Sequence, residues 1–243
     1  MHTARKIGII GQGNVGSALH RGLANAGYEV RTTGKDPAQV QEIGQWAQLT
    51  ILAVPFGERE EAIRDLGTGV EGKPLVDVTN ALGVGMSWIG STTKSGAEEV
   101  QEWAQGSRVV KAFNTVFAHH MDKGNIAGEP LSAFVAGDDA GAKEAVLEMC
   151  DALGFEAIDA GPLRNTRFLE PLAYLNIDLA GKQGLGWDCG FHYVQGGVKA
   201  RRGAGKQRTR ARKEARGAAV GRPKGQRGAV RSAPPGQNVP RKT

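Results

Sequence analysis

The chain has 243 residues, with 31 Lys/Arg against 25 Asp/Glu and a formal net charge of +6. That charge is unevenly spread: residues 195–243 hold 15 Lys/Arg and one acid, Glu214, so they carry +14 and leave −8 on residues 1–194. No apolar run is long enough to span a membrane, and the two cysteines, Cys150 and Cys189, belong to no CxxC or histidine-rich cluster, which argues against a disulfide framework and against zinc, so no metal is expected.

The first strand signal begins at Lys6, which leaves no room for a signal peptide ahead of it. With the cysteine usage, this leads to the expectation of a cytoplasmic protein. The length allows one substantial core with at most a small appendage. Residues 195–243 are rich in Gly, Ala, Arg and Pro and nearly free of aliphatic bulk. Such a segment cannot bury enough surface to offset chain entropy, and a disordered basic tail is expected there. Without aromatics to stack on bases, its contact with nucleic acid would be nonspecific.

In chain order, the apolar run 7–10 feeds directly into Gly11-Gln12-Gly13-Asn14-Val15-Gly16. A helix follows with Ala18, Leu19, Leu23 and Ala24 on its apolar side, ending at Gly27, and residues 28–33 read as a second strand. The pattern continues with a helix over 38–47 and a buried strand over 49–55. A helix over 58–66 and a strand over 74–80 come next. Residues 95–105 form a helix with Ser95 as cap and Glu98 three positions on. Strands over 108–113 and 131–137 come next, then a helix over 140–153, opened by the caps Asp138 and Asp139. A strand over 155–161 and an amphipathic helix over 165–179 close the set. The second and third strands are too close in sequence for a full mononucleotide-binding half, so one strand is expected to be missing. The alternation defines a Rossmann-type, doubly wound α/β fold with a mostly parallel sheet. We divide it into a dinucleotide-binding domain (1–162), a helical extension over the cofactor crevice (163–194) and the tail (195–243).

A GxGxxG that opens a strand–helix–strand unit is a dinucleotide-binding signature. Gly11 permits the sharp turn off the strand, Gly13 leaves room for a pyrophosphate, and Gly16 lets the helix approach the strand. The helix then offers unpaired N–H groups and a partial positive charge to phosphates. Ligands of such sheets bind at the carboxyl ends of the strands. Here those ends carry Gly11–Gly16, Thr33-Gly34-Lys35, Val54-Pro55-Phe56, Asn80 and Asn114. Pro55 and Phe56 are expected to wall the crevice, and Asn80 and Asn114 to hydrogen-bond a carboxamide or ribose. The second strand ends without an acid for a ribose 2′-OH. It ends in hydroxyls and a lysine that suit a 2′-phosphate, so NADP is expected over NAD. Asp36 precedes Pro37 and reads as a helix cap.

Four segments together resemble the coenzyme F420-dependent NADP oxidoreductases and related NADPH-dependent F420 reductase-like proteins. They are residues 7–16, Leu52-Ala-Val-Pro55, Val110-Lys-Ala-Phe-Asn-Thr115, and Asp159-Ala-Gly-Pro-Leu-Arg-Asn-Thr-Arg167 with Glu170 and Leu172 behind it. The resemblance covers residues 5–194. It implies that Gly11, Gln12, Gly13, Asn14, Val15 and Gly16 hold the pyrophosphate, and that Thr33, Gly34 and Lys35 meet the 2′-phosphate. Gly34-Lys35 departs there from the family's serine–arginine pair. Val54, Pro55, Asn80, Ala112, Phe113 and Asn114 would line the nicotinamide end. The segment 161–167 and the last helix would approach a deazaflavin, with Arg164 and Arg167 offering charge to it. The implied reaction is hydride transfer between NADPH and coenzyme F420, which needs orientation more than acid–base chemistry, and no catalytic side chain is assigned. His119-His120 is the one tempting acid–base pair. Small-molecule cofactor substrates and a homodimer are the expected partners. The competing functions are an NADP-dependent reductase of a small carbonyl or imine, which ordinarily needs a larger helical domain, and a non-catalytic dinucleotide-binding protein.

Overall fold

The computed structural model describes residues 6–196, so the tail expected to be disordered lies, from residue 197 onward, outside the described residues. In chain order the elements are β1 (Lys6–Ile10), α1 (Asn14–Asn25), β2 (Glu29–Thr33), α2 (Pro37–Trp46), β3 (Leu49–Leu52), α3 (Arg59–Leu66), β4 (Pro74–Asp77) and α4 (Gly96–Trp103). They continue with β5 (Arg108–Lys111), β6 (Asn125–Ile126), β7 (Glu129–Pro130), β8 (Ser132–Gly137), α5 (Ala140–Ala152), β9 (Glu156–Asp159) and α6 (Thr166–Gly181).

Seven strands form one sheet in the order β2-β1-β3-β4-β5-β8-β9, and β6 and β7 form a separate two-stranded ladder. The first five strands run parallel. β8 is antiparallel to β5, and β9 is parallel to β8. The reversal has a local cause. A parallel crossover needs a dozen or more residues, usually a helix. Between β5 and β8 the chain makes only a 3-10 turn, Ala118–His120, and the small β6–β7 ladder, so it enters β8 from the opposite end. The expected missing strand is accounted for as well. From β2 the chain returns through α2 to the far side of β1, leaving β2 at the sheet edge.

Alternation along the strands fills two cores. Ile7, Ile9, Ile51, Val76 and Val110 face Leu19 and Leu23 of α1 and Val146, Leu147 and Cys150 of α5. Ile10, Leu52, Leu75 and Val109 face Val40 and Ile43 of α2, Ile63 and Leu66 of α3 and Val100 of α4. Leu19 and Leu23 are fully buried, and each such leucine stabilises the fold by about 1.5–3 kcal/mol. The caps act as expected except for Asp138, whose Oδ1 accepts from Leu163 N at 2.9 Å instead. The Asp36 carboxylate accepts from Gln39 N at 2.9 Å, Asp139 accepts from Ala142 N at 2.7 Å, and Ser95 with Glu98 completes a capping box on α4. Free Cys150 is buried in the core, where burial pushes its thiol well above the ordinary cysteine value.

Candidate functional site

The chain goes from β1 to β2 on one side and later from α2 to β3 on the other. This places the topological switch point at the carboxyl ends of β1 and β3, where open α/β sheets bind ligands. The glycine turn fills that point. Gly11 has φ +117°, and a Cβ there would run into the Ala53 carbonyl. Its N–H donates to Thr33 O at 2.8 Å, while Ala53 N donates to Ile10 O at 2.8 Å, so the turn is tied to the ends of β2 and β3. A Cβ on Gly16 would strike the Gly11 carbonyl, which sets how closely α1 follows the strand. Gly13 differs from both: nothing lies within 4 Å of where its Cβ would be. It is the N-cap of α1 and supplies no side-chain bond, and the first turn carries no acid. Unlike α2, α4 and α5, this helix therefore leaves its leading N–H groups without a side-chain partner. Gln12, Gly13 and Asn14 are exposed, and Val15 is half-buried.

Around this turn the predicted residues divide. Gly34 is close to Gln12, whose Oε1 would be 3.6 Å from a Cβ at Gly34. Thr33 is buried, and its hydroxyl donates to Gln39 Oε1 at 3.0 Å, so it faces α2 rather than the opening. Lys35 is exposed and pairs with Glu58 at 2.7 Å, an interaction that raises its pKa first by the hydrogen bond and then by the carboxylate charge. Val54 is half-buried and Pro55 exposed. The Phe56 ring packs under the Arg59 guanidinium at 3.4 Å and lies close to Gly96, so it is turned toward the start of α4. Arg59 itself is buried, donating to Phe56 O, Gly96 O and Glu99 Oε2.

At the far end of the crevice, Asn80 and Asn114 extend from neighbouring strand ends and bind each other. Asn80 Nδ2 donates to Asn114 O at 2.8 Å, and Asn114 Nδ2 donates to Asn80 Oδ1 at 3.3 Å and to Leu169 O at 2.9 Å. Asn114 thus ties β5 to α6, while its Oδ1 has no partner. Ala112 is buried. Phe113 has φ +61°, a strained value for a bulky residue, and its ring turns into the core against Phe155. The structure thus places Phe113 away from the crevice that the resemblance implied for it.

Sequence reading passed over a buried charge network beneath this end. Asp77 and Lys111 are registered neighbours on β4 and β5. Lys111 Nζ lies 2.9 Å from Asp77 Oδ2, 3.1 Å from Glu170 Oε1 and 2.7 Å from Thr79 O. Glu170 also accepts from Gly96 N and Ala97 N, the leading amides of α4. All three side chains are fully buried. Burial opposes the charge on Lys111, but Asp77 and then Glu170 outweigh it and raise its pKa. The available signal was a lone Lys and a lone Asp inside two apolar strands; their pairing needed the sheet order.

The two arginines near α6 are placed differently from expectation. Arg167 binds Glu98 through Nε and Nη2 at 2.8 and 2.7 Å. Arg164 is exposed beside Gln101, whose amide oxygen caps Val109 N at the amino end of β5, on the side away from the strand carboxyl ends. The hydrogen bond from Arg167, opposed by burial and supported by Ser95, pulls Glu98 down to about 2. A depressed carboxylate stabilises the fold above its unfolded pKa and loses that contribution as pH falls through the folded value. Arg167→Ala is therefore expected to move the acid-unfolding midpoint to higher pH, as followed by circular dichroism. An unmoved midpoint would show that the pair adds no stability.

Fold and site together define a Rossmann-type dinucleotide-binding protein with an open helix N-terminus behind a glycine turn. Residues 6–81 match the family model described as NADP oxidoreductase, coenzyme F420-dependent. This match and the relatives below support an F420-oxidoreductase-like dinucleotide-binding family for the part of the chain that carries the glycine turn. It is 28% identical to a putative F420-dependent NADP-reductase from Arthrobacter sp. FB24, with a TM-score of 0.72 over 79% of this chain and 100% of that one. It is 29% identical to the F420-dependent NADP reductase of Methanothermobacter marburgensis, over 57% of this chain and 65% of the relative. It is also 32% identical to the metalloreductase STEAP3 of Rattus norvegicus over 70% of this chain, and spans only 36% of that relative's length. No helix among the described residues is long and apolar enough to cross a membrane.

Proposed function

We propose that residues 6–162 bind NADP(H) across the switch point and that the chain transfers hydride between it and a second redox cofactor of the F420 type. The observation that carries this reading is the contrast within the glycine turn. Gly11 and Gly16 are closed in by backbone, while Gly13 is open beside uncapped helix amides. That is a cradle with room for a pyrophosphate and charge to hold it. When bound, the nicotinamide supplies or accepts the hydride at its C4. The chain's own part is orientation and exclusion of water. Gln12, Gly13, Asn14, Val15 and Gly16 hold the phosphates, with Gly34 and Lys35 at the adenosine side. Val54, Pro55, Asn80 and Asn114 shape the nicotinamide end, where the Asn114–Leu169 bond keeps residues 163–194, and α6 above all, against the crevice. The family name and the relatives' printed names support the deazaflavin as acceptor. An assay following NADPH oxidation against F420, flavins and small carbonyls tests the pairing; turnover with carbonyls and none with F420 removes the deazaflavin.

Lys35 provides a sharper check on the nucleotide. Its amine is held by Glu58, so a 2′-phosphate must compete with that carboxylate. Lys35→Ala is expected to weaken NADPH by roughly 10- to 100-fold, the range of a charge-assisted hydrogen bond, and to leave NADH nearly unchanged. Glu58→Gln should tighten NADPH by freeing the amine. Equal losses for both nucleotides in calorimetry would show that Lys35 does not meet the 2′-phosphate.

A further inference from the structure

The 3-10 turn Ala118–His120 follows the end of β5, and its neighbour Asp122 anchors it to α1 through Arg21 at 3.3 Å. His120 is buried, and neither of its ring nitrogens has a hydrogen-bond partner. An imidazole normally satisfies both nitrogens when it is buried. His120 Nε2 lies 3.1 Å from Asp188 Oδ1, close enough to attract but without making a hydrogen bond. His119 is exposed and packs its ring at 4.0 Å, centroid to centroid, from that of His120. Aromatic contacts hold the group together. His119 stacks on Phe117, and Trp187 meets Phe117 edge-on at 5.3 Å, which brings Asp188 over the turn. The segment carrying Asp188 is fixed further on, where Ser132 N donates to Phe191 O at 2.8 Å.

We propose that His119, His120 and Asp188 bind a divalent transition-metal cation of the imidazole-preferring class, such as zinc. Their donor atoms all lie within 4.8 Å of one another. In a tetrahedral zinc site with bonds near 2 Å, donors are about 3.3 Å apart, and the exposed His119 and Asp188 side chains have the freedom to close that difference. Two nitrogens and one carboxylate oxygen suit Zn²⁺, Cu²⁺ or Ni²⁺ and do not suit Mg²⁺ or Ca²⁺. Three protein ligands leave a fourth position toward solvent. The expectation of no metal rested on two cysteines outside any CxxC or histidine-rich cluster; the fold of the segment after α6 brings His119, His120 and Asp188 together. A bound cation would clasp that segment to the turn after β5.

The test uses the untagged full chain, stripped with chelator and titrated with Zn²⁺ by calorimetry. One equivalent is expected to bind and to raise the melting temperature, because the unfolded chain lacks the site. His119→Ala and Asp188→Ala change exposed side chains, so the fold should survive. Each should weaken Zn²⁺ by at least about 10-fold, the floor for losing even an outer-shell partner of a metal site. His192→Ala, which removes an exposed histidine paired with Glu156, should leave the affinity as in the parent, and excess Mg²⁺ should not displace zinc. Absence of saturable binding overturns the site. So does an affinity unchanged in both variants, and so does displacement by Mg²⁺.

Discussion

Lys111→Met is expected to lower the unfolding free energy by about 3–5 kcal/mol, the cost of removing one partner from a buried ion pair. The side chain is fully buried between Asp77 and Glu170, and methionine fills much of its volume without supplying charge. Two carboxylates would then face each other in a fully buried site. Glu170 has a second attachment, since it accepts from Gly96 N and Ala97 N. Glu170→Gln should therefore weaken both the sheet–α6 and the α4–α6 contacts. Replacing Asp77, Lys111 and Glu170 together with apolar residues should recover much of the loss, because the uncompensated charge disappears. The raised pKa of Lys111 sets the sign of the pH effect. Its contribution is complete below the unfolded lysine pKa and is lost as pH rises through the higher folded value. Urea unfolding at neutral and alkaline pH reads both effects. A loss under about 1 kcal/mol for Lys111→Met would mean that the network is not holding the fold, since ordinary surface substitutions fall within that range.

Gly13→Val is expected to abolish measurable NADP(H) affinity, a loss of at least about 100-fold or ~2.7 kcal/mol, while leaving the fold intact. The space around Gly13 is open and its φ is −72°, so the added Cβ meets nothing in the protein, and a bound pyrophosphate is expected to bear the cost of the larger side chain. Gly11→Ala and Gly16→Ala are the contrast. There the added carbon meets the Ala53 or Gly11 carbonyl, so both stability and binding should fall. Calorimetry with NADPH, alongside thermal unfolding, separates the cases. Retained affinity in a folded Gly13→Val protein would sink the assignment of the glycine turn to the phosphates.

Local signals were strong where a single segment carries the physics. The apolar run of β1, the glycines at 11, 13 and 16, and the caps Asp36, Ser95 and Asp139 each depend on neighbours within a few positions, so the chain displays them directly. The helix over 165–179 was legible for the same reason, and α6 runs to Gly181 even with Pro171 inside it. The order of strands was less accessible. Nothing within 131–137 states that β8 runs against β5; that follows from the path between them, which forms no α-helix to carry a crossover. Side-chain direction was least accessible. Thr33, Phe56, Phe113 and Arg167 have the right chemistry for a cofactor, but their final partners are Gln39, Arg59, Phe155 and Glu98. Gln39 and Arg59 lie within a few positions of Thr33 and Phe56, whereas Phe155 and Glu98 come from elements distant in sequence, and packing selects among the available partners. The same holds for Lys111 with Asp77 and Glu170, and for His120 with Asp188: charges and donors along a strand or turn announce a need, and the three-dimensional arrangement of the sheet, α6 and the segment after it supplies what meets that need.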